Sequence, residues 1–341
     1  MLDFLQHIDW GHHDGVNIGM LNDFMRNQFY DRAIRDTVKD KRCIDVGFGT
    51  GFLSVLSLKH GARSVVAYEN DDHRYELGQE IIRRLGLENK ITLLHERYDY
   101  SLLSEHPDVE VLVTETVNGN LWWEGMFNNV PAEPSAVTYV PGHYYLNVYA
   151  VPVPESFAQG LLTDVNGPIN ELYPGVDIEV DFVNCVNQLI AITNECEFTP
   201  RPKHNIEPGL YAIDNKNNSP WGWIPYLRLT HNQTPDAWYS LNVAEAAVTA
   251  KVNDQEPQTK PFDFRASRIS LEIDTALWNN QCVILIPRVG LRSGEHNLFL
   301  DTGHWGPTES PMLLVKPQHP LIVTHSLRSG ALKYQYRDYH E

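Results

Sequence analysis

The stretch Cys43-Ile44-Asp45-Val46-Gly47-Phe48-Gly49-Thr50-Gly51 decides the fold. The run from Arg42 to Val46 reads as a strand, it feeds three glycines at alternate positions, and the residues after them read as a helix. Glycines let a backbone approach a ligand closely, and the first turn of the following helix offers N–H donors. A dinucleotide-binding turn needs G-x-G-x-x-G. Here the third glycine arrives one residue early, at Gly51, and position 52 is Phe.

Working outward, the strand candidates are Arg42 to Val46, Ser64 to Tyr68, Ile91 to Leu94 and Val109 to Thr114, with helical stretches between them. The clearest helix runs from Asp71 to Leu85, where Leu77, Ile81, Ile82 and Leu85 keep helical spacing, Asn70 is the expected cap and Gly86 the stop. Another is expected over Leu21 to Val38. Such alternation predicts an α/β fold with a parallel sheet flanked by helices. Glu69 ends the second strand, eighteen residues after Gly51. A carboxylate there can accept the hydroxyls of a ribose.

Past Pro141 the texture becomes β: aromatic and β-branched residues alternate from His143 onward, and turn signals recur. Further strands are expected at Trp238 to Val252, Arg268 to Ile273, Cys282 to Pro287 and Pro311 to Val315. The division expected is residues 1–140, carrying N-terminal helices and the glycine turn, and residues 141–341, mostly antiparallel β.

The chain has 341 residues, with 27 Lys and Arg against 44 Asp and Glu, a net charge of −17. That balance repels a phosphate backbone, so no nucleic-acid partner is expected, while cationic substrates are favoured. Its four cysteines form no CxxC pair, and His12 and His13 have no ligand partner at metal spacing, so no metal site is expected. The N-terminal residues lack the basic-then-apolar pattern of a secretory signal, and no apolar run approaches a membrane span. The expectation is a cytoplasmic protein without a membrane partner.

A second chemical signal is the pair Glu115 and Glu124, nine residues apart across the carboxyl end of the fourth strand and a glycine-containing loop. Two carboxylates facing one pocket repel unless a cation sits between them, and a guanidinium is the planar cation that fits such a fork. Trp122 and Trp123 lie in the same loop. Aromatic faces beside carboxylates suit delocalised cations.

The glycine turn resembles the D/E-x-G-x-G-x-G motif of class I S-adenosylmethionine methyltransferases, and the Glu pair matches the double-Glu loop of the protein arginine methyltransferase family. Met20-Leu21-Asn22-Asp23-Phe24-Met25-Arg26 resembles that family's Met-Leu-x-Asp-x-x-Arg helix, and Gly303-His304-Trp305 its Thr-His-Trp loop. The family's Tyr-Phe-x-x-Tyr motif ahead of the Met helix is not present, and Gly303 replaces a Thr. The resemblance implies a Rossmann-like domain followed by a mostly antiparallel β-barrel domain, paired into a homodimer through an arm expected near 152–174.

It also implies roles. Arg26, Asp45, Gly47, Gly49, Gly51, Glu69 and Asp99 would bind S-adenosylmethionine. Glu115 and Glu124 would grip a substrate guanidinium, Asp23 and His304 would form an Asp–His pair, and Met20, Trp122, Trp123 and Trp305 would line the substrate pocket. The implied activity is N-methylation of an arginine, mainly to monomethylarginine, in a protein, a peptide or free arginine. The rival expectations are a cofactor-binding regulatory pseudoenzyme and a methyltransferase for another small-molecule nucleophile.

Overall fold

A computed structural model describes residues 20–21, 23–116, 129–130, 133–152, 199–201, 210–214, 235–264, 268–279, 283–293, 298–301, 312–315, 319–327 and 332–337. Helix α1 (Phe24–Arg35) leads into strand β1 (Arg42–Val46), followed by α2 (Phe52–Lys59), β2 (Ser64–Glu69), α3 (Asp72–Leu85), β3 (Ile91–His95), β4 (Val111–Thr114) and β5 (Thr138–Val140). The five strands form one sheet in the order β3-β2-β1-β4-β5, parallel throughout. Cys43 to Val46 and all of β4 are buried, as strands covered on both faces must be. Because β2 lies on one side of β1 and β4 on the other, the chain order reverses beside β1. Crevices at such reversals, outside the carboxyl ends of strands, are where open α/β sheets bind ligands.

Local chemistry sets the helix ends. Asp71, rather than the expected Asn70, caps α3, its side chain accepting from the Arg74 N–H at 2.9 Å. Gly86 ends the helix in the left-handed region, with φ 65°.

The second half is built on β6 (His143–Pro152), which pairs antiparallel with β9 (Ala237–Asn242) and β13 (Val283–Ser293). Around them run β7 (Thr199–Arg201), β8 (Leu210–Asp214), β10 (Ala247–Val252), β11 (Gln258–Pro261), β14 (Leu298–Asp301) and β15 (Met312–Val315), all in one sheet. A second sheet holds β12 (Arg268–Ile273), β16 (Leu321–Ser326) and β17 (Leu332–Tyr336). Along β12 and β16 burial alternates residue by residue, the mark of strands with one face on a core. The Tyr239 hydroxyl hydrogen-bonds His325 Nδ1 across the interior, tying the two sheets together.

Among the described residues the strands pair into these two antiparallel sheets, with no pairing that closes them into one barrel. The run from Trp238 to Val252, expected as one strand, is the hairpin β9–β10. Its turn places Ala246 at φ 46°, a conformation for which Val243-Ala244-Glu245-Ala246 carries no Gly or Asn signal. The expected arm at 152–174 lies outside the described residues apart from the backbone of Pro152.

Candidate active site

The glycine turn sits at the carboxyl end of β1. Gly47, Gly49 and Gly51 have φ of 82°, 51° and 71°, a left-handed path that side-chain-bearing residues rarely adopt. The Gly47 and Phe48 N–H groups donate to the Tyr68 carbonyl at 3.0 and 2.9 Å, which folds the turn back over β2. Gly47 itself is exposed, so its backbone is open to a ligand.

Asp45 and Glu69 lie beneath this turn, both buried. Asp45 Oδ2 accepts from the Ser54 hydroxyl at 2.5 Å, while Oδ1 is buried with no hydrogen-bond partner. Burial pushes the Asp45 carboxyl up to about 7 against the hydrogen bonds from Ser54, with Glu69 adding to the rise and Arg26 opposing it. Glu69 Oε2 accepts from the Gly49 N–H, and Oε1 from the Asn70 and Asp71 N–H groups, each at 3.0 Å. Three of a carboxylate's roughly four acceptor positions are therefore occupied, leaving room for one ribose hydroxyl rather than two.

Arg26 enters from α1, whose first turn is capped by Asp23: Asp23 Oδ1 accepts the Arg26 N–H at 2.9 Å. The guanidinium donates through Nη2 to Glu115 Oε2 at 3.0 Å, in an ion pair whose side chains are 6% and 5% exposed. Arg26 Nη1 donates to Asn27 Oδ1, and Arg26 Nε is buried without a hydrogen-bond partner. The guanidinium carbon lies 5.5 Å from the centre of the Tyr30 ring, a cation–π distance. Tyr30 donates its hydroxyl to the Thr114 carbonyl at 3.0 Å and so ties α1 to the end of β4. Beyond β4, Thr116 Oγ1 bonds Thr114 Oγ1 and receives the Asn129 amide at 3.2 Å.

Arg26, Asp45, Glu69, Glu115 and the three glycines thus converge at one end of the parallel sheet. Met20 is half-buried ahead of the Asp23 cap. Asp99 is exposed and caps the turn at Tyr100–Glu105, accepting from Ser101 N and Oγ, which holds its carboxyl below the usual range. Glu124, Trp122, Trp123, His304 and Trp305 lie outside the described residues. Sequence reading missed Ser54, Tyr30 and Tyr144. Tyr144 is buried close enough to Glu115 that burial and that charge together raise its hydroxyl pKa. Only Tyr30 had a local signal, one helical turn after Arg26. Among the described residues there is no His, Cys, Asp and Glu cluster suited to a metal, and no helix is long and apolar enough to cross a membrane.

Residues 28–115 match the family described as ribosomal protein L11 methyltransferase (PrmA). Human protein arginine N-methyltransferase 9 is 38% identical over 115 residues, 33% of this chain and 14% of that protein. Protein arginine N-methyltransferase 1 of Saccharomyces cerevisiae is 33% identical over 135 residues, 39% of this chain and 36% of that protein. The chain thus spans between 14% and 36% of the length of these curated relatives. A crystal structure of PRMT6-SAH aligns over 95% of this chain and 100% of that one, with a TM-score of 0.52 and 17% identity, a likeness of fold.

Proposed function

We propose that this chain is a member of the protein arginine methyltransferase family and that it methylates a guanidinium nitrogen of an arginine-containing substrate, with S-adenosylmethionine as donor. The observation that carries the reading is the buried Glu115 carboxylate, which already holds a guanidinium, that of Arg26, at 3.0 Å. The donor site fits as well. Two orphaned buried atoms of opposite polarity, Arg26 Nε and Asp45 Oδ1, match the carboxylate and ammonium ends of an amino acid, and the left-handed glycine turn leaves backbone open beside them.

When bound, S-adenosylmethionine supplies a methyl carbon made electrophilic by its sulfonium. Arg26 would hold the methionine carboxylate, Gly47 to Gly51 would let the ligand approach the turn closely, and Glu69 would take a ribose hydroxyl. On the family resemblance Asp99 would serve the adenine end. A guanidinium, with a pKa of about 12.5–13.8, is a poor nucleophile because its lone pairs are delocalised. Glu115 and Glu124 hydrogen-bond it unequally, gathering positive charge on the nitrogens they touch and leaving electron density on the attacking one. The methylated nitrogen then sheds a proton, to Glu124 or to the Asp23–His304 pair. On the family resemblance Met20, Trp122 and Trp123 would crowd the reacting nitrogen and Trp305 would wall the pocket, an arrangement that would favour a single transfer and monomethylarginine. The same reading makes the protein a cytoplasmic homodimer.

The test is to incubate the protein with labelled S-adenosylmethionine and, in parallel, free arginine, an arginine-containing peptide and total cell protein, with products identified by mass spectrometry. Label on monomethylarginine is the expected result. Its distribution assigns the substrate as free or peptide-borne. Abundant dimethylarginine overturns monomethylation, and no label in any sample overturns the transferase reading.

A further inference from the structure

Three carboxylates and one guanidinium are buried together at the carboxyl end of β1. Arg26 and Glu115 neutralise one another. Glu69 is surrounded by three backbone N–H donors. Asp45, 1% exposed, is held by Ser54, through its hydroxyl on Oδ2 and its backbone N–H, and Oδ1 has no hydrogen-bond partner among the described residues.

Among the described residues the neighbouring elements do not supply the missing compensation at Oδ1. From α2 comes the neutral Ser54 hydroxyl, from β2 the like charge of Glu69, and from β1 itself Cys43, whose thiol burial and Asp45 push up. From α1 come Arg26, already paired, and Tyr30, which burial, Glu115 and Asp45 hold in its neutral form. A carboxylate enclosed this way is more stable as the acid, the direction in which its raised pKa of about 7 also points. A ligand that brings an ammonium group to Oδ1 reverses the preference.

We infer that binding of S-adenosylmethionine or S-adenosylhomocysteine expels a proton from Asp45 to solvent, with Oδ1 accepting from the ligand's ammonium group while Ser54 holds the carboxylate in place. The inference rests on the donor site proposed above. No other bond forms or breaks: the carboxyl O–H ionises and the proton leaves to water. Ser54 is a positioning residue, acting through Asp45.

The experiment is calorimetric titration of the full chain with S-adenosylhomocysteine, in two buffers of different ionisation enthalpy. A pH of about 6 is chosen because the ligand's α-amino group, with a pKa near ~8, is already charged there. The expected enthalpies differ between buffers by an amount corresponding to release of close to one proton. Affinity rises with pH by up to about tenfold per unit below neutrality, levels off there, and falls again above about 8, where the ligand's ammonium group loses its proton. Asp45→Asn abolishes the buffer dependence. Ser54→Ala carries proton release to higher pH, because the carboxylate has lost a donor, and Ser54→Thr restores the wild-type profile. A measurement on wild type alone guards against variants that fail to fold: the infrared difference spectrum on adding ligand loses one protonated carboxyl band. Binding with a buffer-independent enthalpy and no lost carboxyl band overturns the inference. Failure of wild type to bind S-adenosylhomocysteine or S-adenosylmethionine at all overturns the donor-site reading instead.

Discussion

The ring of Phe48, the residue between the first two glycines of the turn, occupies the space that a side chain on Gly78 would need. A Cβ added at Gly78 would stand 2.9 Å from the Phe48 ring and 2.7 Å from Leu93. A Cβ at Gly51 would meet the same ring at 2.5 Å. The turn is thus anchored by an aromatic ring lodged under two helices, and α3 carries a glycine in mid-helix to admit it. Gly78→Ala sets two effects against each other. Helix propensity favours Ala by about 0.5–1 kcal/mol, whereas overpacking a closed site costs about 1–3 kcal/mol. Net destabilisation of about 1–2 kcal/mol is expected in urea unfolding. A double mutant with Phe48→Leu should recover part of it, and additive losses would show that the two positions are not coupled.

Glu115→Gln removes the charge facing Arg26 while keeping an oxygen for it. Stability of the ligand-free protein is expected to fall by on the order of 2 kcal/mol, below the ~3–5 kcal/mol for removing a buried partner outright. Turnover should fall by on the order of a hundredfold to a thousandfold with donor binding retained. Glu124→Gln should lower turnover further. Near-normal rates in both variants, measured with saturating donor, would remove the carboxylate clamp from the mechanism.

Glu69→Gln tests a side chain that holds the turn and, in the proposed donor site, takes a ribose hydroxyl. The amide nitrogen cannot accept the N–H groups that the carboxylate now receives. A stability loss of about 1–3 kcal/mol is expected together with weaker S-adenosylhomocysteine binding. Loss of stability with unchanged affinity, read by unfolding and calorimetry on the same preparation, would confine Glu69 to the turn.

One buried and one half-buried group give the pH dependence of stability opposite slopes. Asp45 has its carboxyl raised to about 7 in the folded chain, so the folded state holds the extra proton and this contribution falls as pH rises from the ordinary carboxylate range to about 7. His143 is pushed down to about 4 by burial and by Arg292, whose Nη2 lies 3.0 Å from its ring. There the unfolded state binds more protons, so stability rises with pH from about 4 to the ordinary histidine range. Asp45→Asn is therefore expected to steepen the rise of Tm with pH over that interval. His143→Gln should leave a profile that falls instead. Parallel profiles for wild type and both variants would contradict the assignments.

Much of the fold was legible in sequence because its signals are local. The run Arg42 to Val46, the alternating glycines and the helix after them lie within one short segment, and β1 begins and ends where the apolar pattern does. Glu69 closes β2 at a position set by strand length. The parallel sheet followed by antiparallel sheets follows from the change in periodicity near Pro141. The hairpin at Ala246 escaped because its only turn residue is Asn242, whose Oδ1 accepts the Glu245 N–H at 3.2 Å, and no Gly or Asn stands at the left-handed position itself.

By itself, then, the sequence determined the elements, the glycine turn and the acids at strand ends, since each depends on residues near one another in the chain. Only the tertiary structure decided which side chains face each other. Arg26 meets Glu115 across 89 positions because α1 packs over the sheet end where β4 stops. Ser54 reaches Asp45 because α2 returns over β1, Phe48 reaches Gly78 because α3 crosses the same turn, and Tyr239 meets His325 between two sheets. Periodicity tells which face of an element is buried. It carries no record of what lies opposite, and the oxygen left without a partner at Asp45 is a property of that opposition.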